Sequence, residues 1–554
     1  MNKKANLRFF PSIAPRNYTK YLALAAVLAV GFLFRFYRIL NDNFFLFDEG
    51  FYLNYNMKAL RLIEFHFANS LGDFWTAVLL HIRAALVTGK ALWFLIVDAR
   101  VFWGALEDWR FPHVVSAVFG SLTLLVIFAF AKKLFNSFWI AILSVLILAV
   151  LPSHVFYSRL AIQEGMCGFF FILGFYFYLF PKEFGRRTFL SAFFLAMAYF
   201  SNYRLLVIPA LVFFVELYAG VTRASKINIR KYTWHTLTFL FLVFGIGALN
   251  NGENTILTFA WVFHQAPMAT QHFDIVNFLS YPYYLFRLES FLFAAVFFGN
   301  VYFLFKKNWE RLFPFTFSLF YMGIFSLTAE KGARYLCAML PFIVISVASL
   351  LVELFRKREK ISVKLSIVLL TAALILSLAL KSLSVVHFSS DYKSSIEYLK
   401  TIDPKPKVAT TQPWIAKLYL NKNDVTEAPR RYDYFVRAYN KGFRYLIVCP
   451  QAYVSWTGSR QKFDFQLADY LYFITANLKP LKEFPHFNHD LLERFAFEHS
   501  ENLRQTVAFI NSPNPSLGKL RVYDIKNCIT VMERYARKDA RLKEGDALAN
   551  SPVK

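Results

Sequence analysis

The stretch Phe47-Asp48-Glu49-Gly50-Phe51-Tyr52 puts two adjacent carboxylates directly behind a hydrophobic run. A charge beside hydrocarbon is costly unless it is paired, hydrated or bound to metal. Two readings follow. The acids mark a water interface, or they form the floor of an active site on the outer face of a membrane, with Asp48 as its base. A carboxylate within hydrogen-bond reach of an attacking hydroxyl can take its proton.

Further polar residues fall where apolar spans should meet the outer surface. Tyr157-Ser158-Arg159-Leu160-Ala161-Ile162-Gln163-Glu164 opens one span. Arg159 and Glu164 read either as an interfacial ion pair or as site residues. In the second case Glu164 joins Asp48 and Glu49, and these acids could hold a divalent cation or orient a sugar hydroxyl. Arg204 lies in a tight outer turn, where it either snorkels or meets an anion. Glu330-Lys331-Gly332-Ala333-Arg334-Tyr335 carries two cations at the mouth of another span. Lys331 and Arg334 suit a phosphate, met by Lys as a point charge and by Arg as a fork. Gly332 between them permits close backbone approach. Pairing with Glu330 or with lipid phosphate in general is the plainer alternative. His264, Gln265, His272 and Asp274 fit no dedicated metal spacing.

These residues need a membrane scaffold. The 554 residues are 57% hydrophobic and include 66 Phe, which excludes an ordinary soluble domain. The net charge of +26 would suit nucleic acid, but most Lys and Arg before the C-terminal region fall between apolar runs, so no nucleic-acid partner is expected. The basic start (Lys3, Lys4, Arg8, Arg16, Lys20) reads as an uncleaved anchor with a cytoplasmic N-terminus. Apolar runs near 18–37, 113–131, 138–156, 160–180, 188–201, 203–219, 233–250, 284–305, 312–328, 335–354 and 363–386 predict roughly eleven spans of bilayer length. Basic pairs such as Lys132/Lys133, Arg186/Arg187, Lys306/Lys307 and Arg356/Lys357 alternate with loops that hold isolated basic residues (Arg159, Arg204, Lys331 and Arg334) or, over 251–284, no Lys or Arg, which supports that topology.

The first outer loop, 39–112, alternates apolar and charged residues at helical intervals and predicts two or three helices lying in the interface plane. An odd span count leaves the segment after about 387 outside. There a helix near Tyr392–Leu399, a helix near Trp414–Leu420 and strands at 407–411, 445–449 and 520–525 predict a small α/β domain over 387–536. Cys449 and Cys528 each follow a strand, and a disulfide between them would suit an oxidising compartment. The tail 537–554 is charged and rich in small residues, the composition of a disordered segment. The fold class is thus an α-helical polytopic membrane protein, with a transmembrane domain over 1–386 and the outer α/β domain behind it.

In this order and topology the motifs resemble the GT-C superfamily of polyprenyl-phosphate-dependent glycosyltransferases. They are similar to the branch of protein O-mannosyltransferases and lipid A aminoarabinose transferases. The resemblance rests on Asp48 to Tyr52 after the first span, on Tyr157 to Ala161 followed by Glu164, on Lys331 to Tyr335 before a span with Pro341, and on the outer C-terminal domain. Two departures stand out: Gly50 replaces a common Ala, which should be harmless, and Glu164 stands where many relatives have Asp.

The resemblance implies an inverting transfer from a polyprenyl-phosphate-sugar donor to a hydroxyl of a glycolipid, glycan or protein acceptor. Asp48 would be the base and Glu49 an orienting or metal-binding acid. Lys331 and Arg334 would hold the donor phosphate with help from Arg204 or Arg159, and Glu164 and Tyr335 would contact sugar or metal. A divalent cation is compatible with this chemistry but not required by it. The partner throughout is the lipid bilayer, and the compact size and short cytoplasmic loops suggest a bacterial inner membrane. A transporter or flippase of lipid-linked sugars is the alternative, disfavoured because the polar residues cluster at one face and no repeated halves are visible.

Overall fold

A computed structural model describes residues 18–535 apart from 246–273, 451–464 and the short stretches 42–43, 56, 70, 87–90, 106–107, 181–183, 224–226, 291, 329–330, 389, 430, 486–487, 499, 501 and 512–517. His264, Gln265, His272, Glu330 and the charged tail lie outside the described residues.

Among the described residues, the stretches expected to span are mostly helical. The helices are α1 (Tyr18–Phe36), α6 (Arg110–Phe135), α7 (Phe138–Ala149), α8 (Pro152–Tyr157), α9 (Glu164–Leu179), α10 (Phe184–Ser201), α11 (Ile208–Arg223), α12 (229–245), α15 (Leu292–Phe305), α16 (Trp309–Ser326), α17 (Leu340–Lys357) and α18 (Ile361–Val386). Among the described residues, four segments, Tyr18–Phe36, Arg110–Phe135, Tyr203–Thr222 and Ile361–Val386, are long and apolar enough by themselves to cross a bilayer, so the count of eleven is not confirmed. One reason is that several runs are broken. Residues 138–156 form two helices, because Pro152 cannot supply the amide that would continue α7. Residues 158–163 are turns, so Arg159 and Glu164 do not share a helix; α9 begins at Glu164 itself.

The described residues of 39–112 form four α-helices where two or three were expected: α2 (Phe47–Tyr55), α3 (Met57–Asn69), α4 (Leu71–Leu86) and α5 (Ala91–Val97). Leu62 and Phe65 of α3, and Trp75, Leu79 and Ile82 of α4, are exposed at helical spacing. Such apolar faces suit a membrane interface.

Buried arginines tie the ends of these helices together. Arg35 of α1 donates to the carbonyls of Leu148 and Ala149 at the end of α7 and contacts Nδ1 of His154 at 2.6 Å. The last carbonyls of a helix have no partner within it, and these bonds supply one from a neighbouring helix.

Beyond α18 the chain forms a five-stranded sheet of order β2-β1-β3-β5-β4, built from β1 (Val408–Thr410), β2 (Val425–Glu427), β3 (Tyr445–Val448), β4 (Lys482–Pro485) and β5 (Lys519–Asp524). β1 runs parallel to β2 and β3, and β5 antiparallel to β3 and β4. Strand alternation separates two packed faces. Val408, Ile447, Cys449 and Val522 enter one cluster, and Leu446, Val448, Tyr523 and Cys528 enter the other. Cys449 and Cys528 therefore lie on opposite faces, and all four cysteines are free and buried. The expected disulfide is absent.

Candidate active site

The first turn of α2 presents its two acids to different surroundings. Glu49 is fully buried. Its Oε2 accepts from the amides of Phe45 and Leu46 at 2.6 and 2.8 Å, and its Oε1 accepts from the amide of Ala161 at 2.8 Å. Glu49 thus pins the entry to α2 onto the turn between α8 and α9. Burial pushes its carboxyl up to about 7 against the opposing pull of those three amides. With both oxygens held by amides and closed from solvent, Glu49 does not fit a metal ligand.

Asp48, one residue earlier, is partly exposed and pairs with the Arg334 guanidinium, 286 residues away. Arg334 sits in a short 3-10 turn, Ala333–Leu336, ahead of α17. Tyr335 follows it, its carbonyl held by the Tyr321 hydroxyl at 2.7 Å. The Arg204 guanidinium lies over the Tyr335 ring at 3.7 Å from the centroid, and that of Arg334 at 5.4 Å. Two guanidiniums so placed form a cationic wall, and an aromatic face favours each. Arg204, Arg334 and Tyr335 line a narrow cleft together with Glu164, whose carboxylate is buried at the start of α9, and Asn202.

Asp48, Arg334, Tyr335, Arg204 and Glu164 therefore converge. The other sequence candidates are placed differently. Lys331 is buried, and its Nζ donates to the Thr328 carbonyl at 2.7 Å. Arg159 donates to the carbonyls of Phe34 and Arg35 at 3.1 and 3.0 Å, closing the C-terminal end of α1. Asp274 caps the next short helix by accepting from the Val276 amide.

The C-terminal part supplies what the sequence reading lacked. Helix α20 (Pro413–Ala416) packs on α2. Asn54 donates through Nδ2 to the Gly50 carbonyl at 2.7 Å and the Trp414 carbonyl at 2.9 Å. A Cβ on Gly50 would lie 2.7 Å from the Ile415 nitrogen, so Gly50 is required by this close approach and is not the harmless departure expected. The helix His489–Glu498 then reaches into the site. Glu498, its last residue, is fully buried, accepts from the Tyr157 hydroxyl and faces Arg334 Nε at 3.8 Å. Burial pushes its carboxyl up to about 7, with Arg334 and Tyr157 pulling the other way. No motif marks Glu498. The one signal available was an acid closing an otherwise apolar Phe495-Ala496-Phe497 run.

Among the described residues one group of metal-type ligands gathers, His489, Asp490 and Glu493. Asp490 accepts from Ser384 and Glu493 pairs with Arg287, so two of the three are already engaged.

No family model matches this sequence, and no curated protein matches it. Solved structures do. The oligosaccharyltransferase of Archaeoglobus fulgidus in its apo form superposes with a TM-score of 0.51 at 8% identity, over 79% of this chain and 70% of that one. The archaeal oligosaccharyltransferase AglB from Archaeoglobus fulgidus, in complex with an inhibitory peptide and a dolichol-phosphate, gives 0.50 at 10% identity over 79% and 70%. This is the GT-C fold. ArnT from Cupriavidus metallidurans in its apo state aligns over 80% of this chain and 95% of its own, with a TM-score of 0.48 at 14% identity. At such identities the likeness concerns the GT-C fold, and the chemistry must be argued from this chain's own residues.

Proposed function

We propose that this chain is an integral-membrane glycosyltransferase. It moves a sugar from a polyprenyl-phosphate carrier to an acceptor hydroxyl of a glycolipid, cell-envelope glycan or protein on the outer face of a bacterial inner membrane. The observation that carries this reading is the pairing of Asp48 with Arg334 beside a cleft walled by Arg204 and Tyr335. A base and a fixed cation in contact are what an inverting displacement at a phosphate-bearing carbon needs. In the protein's full topology roughly eleven spans carry the N-terminus on the cytoplasmic side and the α/β part, 387–536, outside.

The acceptor hydroxyl gives its proton to Asp48 as its oxygen bonds to the anomeric carbon. The bond from that carbon to the phosphate oxygen breaks, and the electron pair leaves with the lipid phosphate. Charge grows on that phosphate in the transition state, and a preorganised cation stabilises it there. Arg334 is that cation, and Arg204 is its neighbour across the Tyr335 ring. When the donor phosphate engages Arg334, the hold on Asp48 loosens and the carboxylate becomes free to take the proton. Lys331, whose Nζ donates to the Thr328 carbonyl, is given no contact with the phosphate. Glu164 faces the cleft from the start of α9 and is placed to orient a sugar hydroxyl. Glu49 serves as the anchor of α2 and not as a ligand, so no step requires a divalent cation at that position.

The test is transfer from a panel of radiolabelled polyprenyl-phosphate sugars by purified protein, with membrane extract as acceptor source. Asp48→Asn should lower transfer by about 100- to 10,000-fold, the usual contribution of a general base, while the protein elutes as folded material. Equal transfer by wild type and variant would refute Asp48 as the base.

A further inference from the structure

The inference that follows rests on the donor reading above. A sugar phosphodiester carries one negative charge, whereas the lipid monophosphate left behind carries roughly 1.5 to 2, because its second pKa is about 6. A cation that stabilises the transition state therefore holds the spent carrier more tightly than the donor. Such a site needs something that limits its grip after the reaction.

Arg334 has two acids on it. Asp48 occupies one side of the guanidinium, and Glu498 Oε2 stands 3.8 Å from Nε on another. Glu498 is fully buried and its other oxygen accepts from the Tyr157 hydroxyl, so the carboxylate is fixed in place. The backbone of the 331–336 turn is gripped by the same segment. Lys331 donates its amide to the Ser500 carbonyl at 3.2 Å, and the Glu498 carbonyl lies 3.0 Å from where a Cβ on Gly332 would be. Once the phosphate has drawn Arg334 off Asp48, Glu498 is the acid that remains beside it. A merely space-filling residue at this point would not need a charge, since a buried, unneutralised carboxylate costs far more than a buried amide.

We propose that Glu498 is a positioning residue, supplied by the C-terminal unit, that holds back part of the Arg334 charge so that the spent polyprenyl phosphate leaves the site. Glu498 touches neither substrate nor reacting atoms and acts through Arg334. The groups facing it are Arg334 from the 3-10 turn, Tyr157 from α8, Glu164 from α9, Cys337 ahead of α17 and Tyr284. Arg494 of its own helix also acts on Tyr157.

The experiment measures binding of a short-chain polyprenyl phosphate to the full-length protein in detergent at pH 8, in wild type, Glu498→Gln, Arg334→Gln and the double variant. Glu498→Gln keeps an acceptor for Tyr157 and removes the charge. It should bind the lipid phosphate about tenfold more tightly, the scale of one unit charge several ångströms away in a partly screened site. The gain should vanish in the Arg334→Gln background, because residues acting through one another are not additive. Transfer under multiple turnover should slow in Glu498→Gln, while single-turnover transfer keeps most of its rate. A purely structural role would instead loosen binding. Equal or weaker binding by Glu498→Gln, with wild-type binding intact, overturns the proposal and leaves the donor reading standing. No binding of the lipid phosphate by wild type overturns both.

A second measurement needs no variant. A short-chain polyprenyl sulfate keeps one charge across the range, so its affinity for wild type should rise several-fold from pH 8 to pH 6 as Glu498 is neutralised. A flat or falling profile would also overturn the proposal.

Discussion

Replacing Gly50 by Ala tests whether the C-terminal α/β part holds the helix that carries Asp48. The added Cβ would sit 2.7 Å from the Ile415 nitrogen, 2.8 Å from the Trp414 carbonyl carbon and 2.9 Å from Ile415 Cγ1. The first two are backbone atoms and cannot rotate away. They lie about 0.7 Å inside ordinary contact, so α2 and α20 must part by roughly that distance. Overpacking of this kind costs about 1–3 kcal/mol. The 2.9 Å bond from Asn54 to the Trp414 carbonyl would stretch with it, adding about 1 kcal/mol. Asp48 lies two residues before Gly50 on the same helix, and a misplacement near 1 Å can cost about 100-fold in rate. Gly50→Ala should therefore lower the melting temperature by a few degrees, raise hydrogen exchange in 47–55 and 413–420, and reduce sugar transfer by at least about tenfold. Asn54→Ala, which removes the bond without the clash, should show a smaller form of the same changes. Unchanged melting, exchange and transfer in Gly50→Ala would refute the idea that this close approach positions Asp48.

Two further outcomes follow from the buried groups. Glu49 and Glu498 are each pushed up to about 7 from an ordinary 4.5. An acid whose folded value is raised contributes stability that is fully present below 4.5 and is lost as pH rises through 7. The melting temperature should accordingly fall between pH 5 and pH 8, with a shallower slope in Glu49→Gln; a rising profile would refute the burial argument. All four cysteines are free, so mass spectrometry after unfolding without reductant should find four thiols available to maleimide, and reductant should leave the melting temperature unchanged. A Cys449–Cys528 bridge in that assay would contradict the placement of the two thiols on opposite faces of the sheet.

What the sequence showed and what it hid separate along a physical line. Asp48, Arg204, Arg334 and Glu164 were legible because a charge at the end of an apolar run is costly, and the cost marks the residue wherever the chain later folds. The helical class and the strands at 408–410, 445–448 and 519–524 were legible because they follow local hydrophobic patterning. Roles were less legible than positions. Arg159 carries the same charge at the same kind of boundary as Arg334, yet its donors go to the carbonyls ending α1 while Arg334 meets Asp48. Only the direction of the following turn decides between the two. Glu49 and Asp48 are neighbours in sequence, and a helix turns neighbours by about 100°, so one carboxylate enters a cage of amides and the other the cleft. Glu498 and Gly50 were hidden for a different reason. Each is unremarkable within its own segment and acquires its role from a segment more than 150 residues away. Gly50 stood out only as a departure from a common Ala that should be harmless, although Ala suits a helix better than Gly. That local preference is outweighed by the Trp414–Ile415 backbone that must pass where a methyl would be. A residue that violates local propensity without local cause is thus a pointer to a distant contact, and here that contact joins the C-terminal α/β part to the helix bearing Asp48.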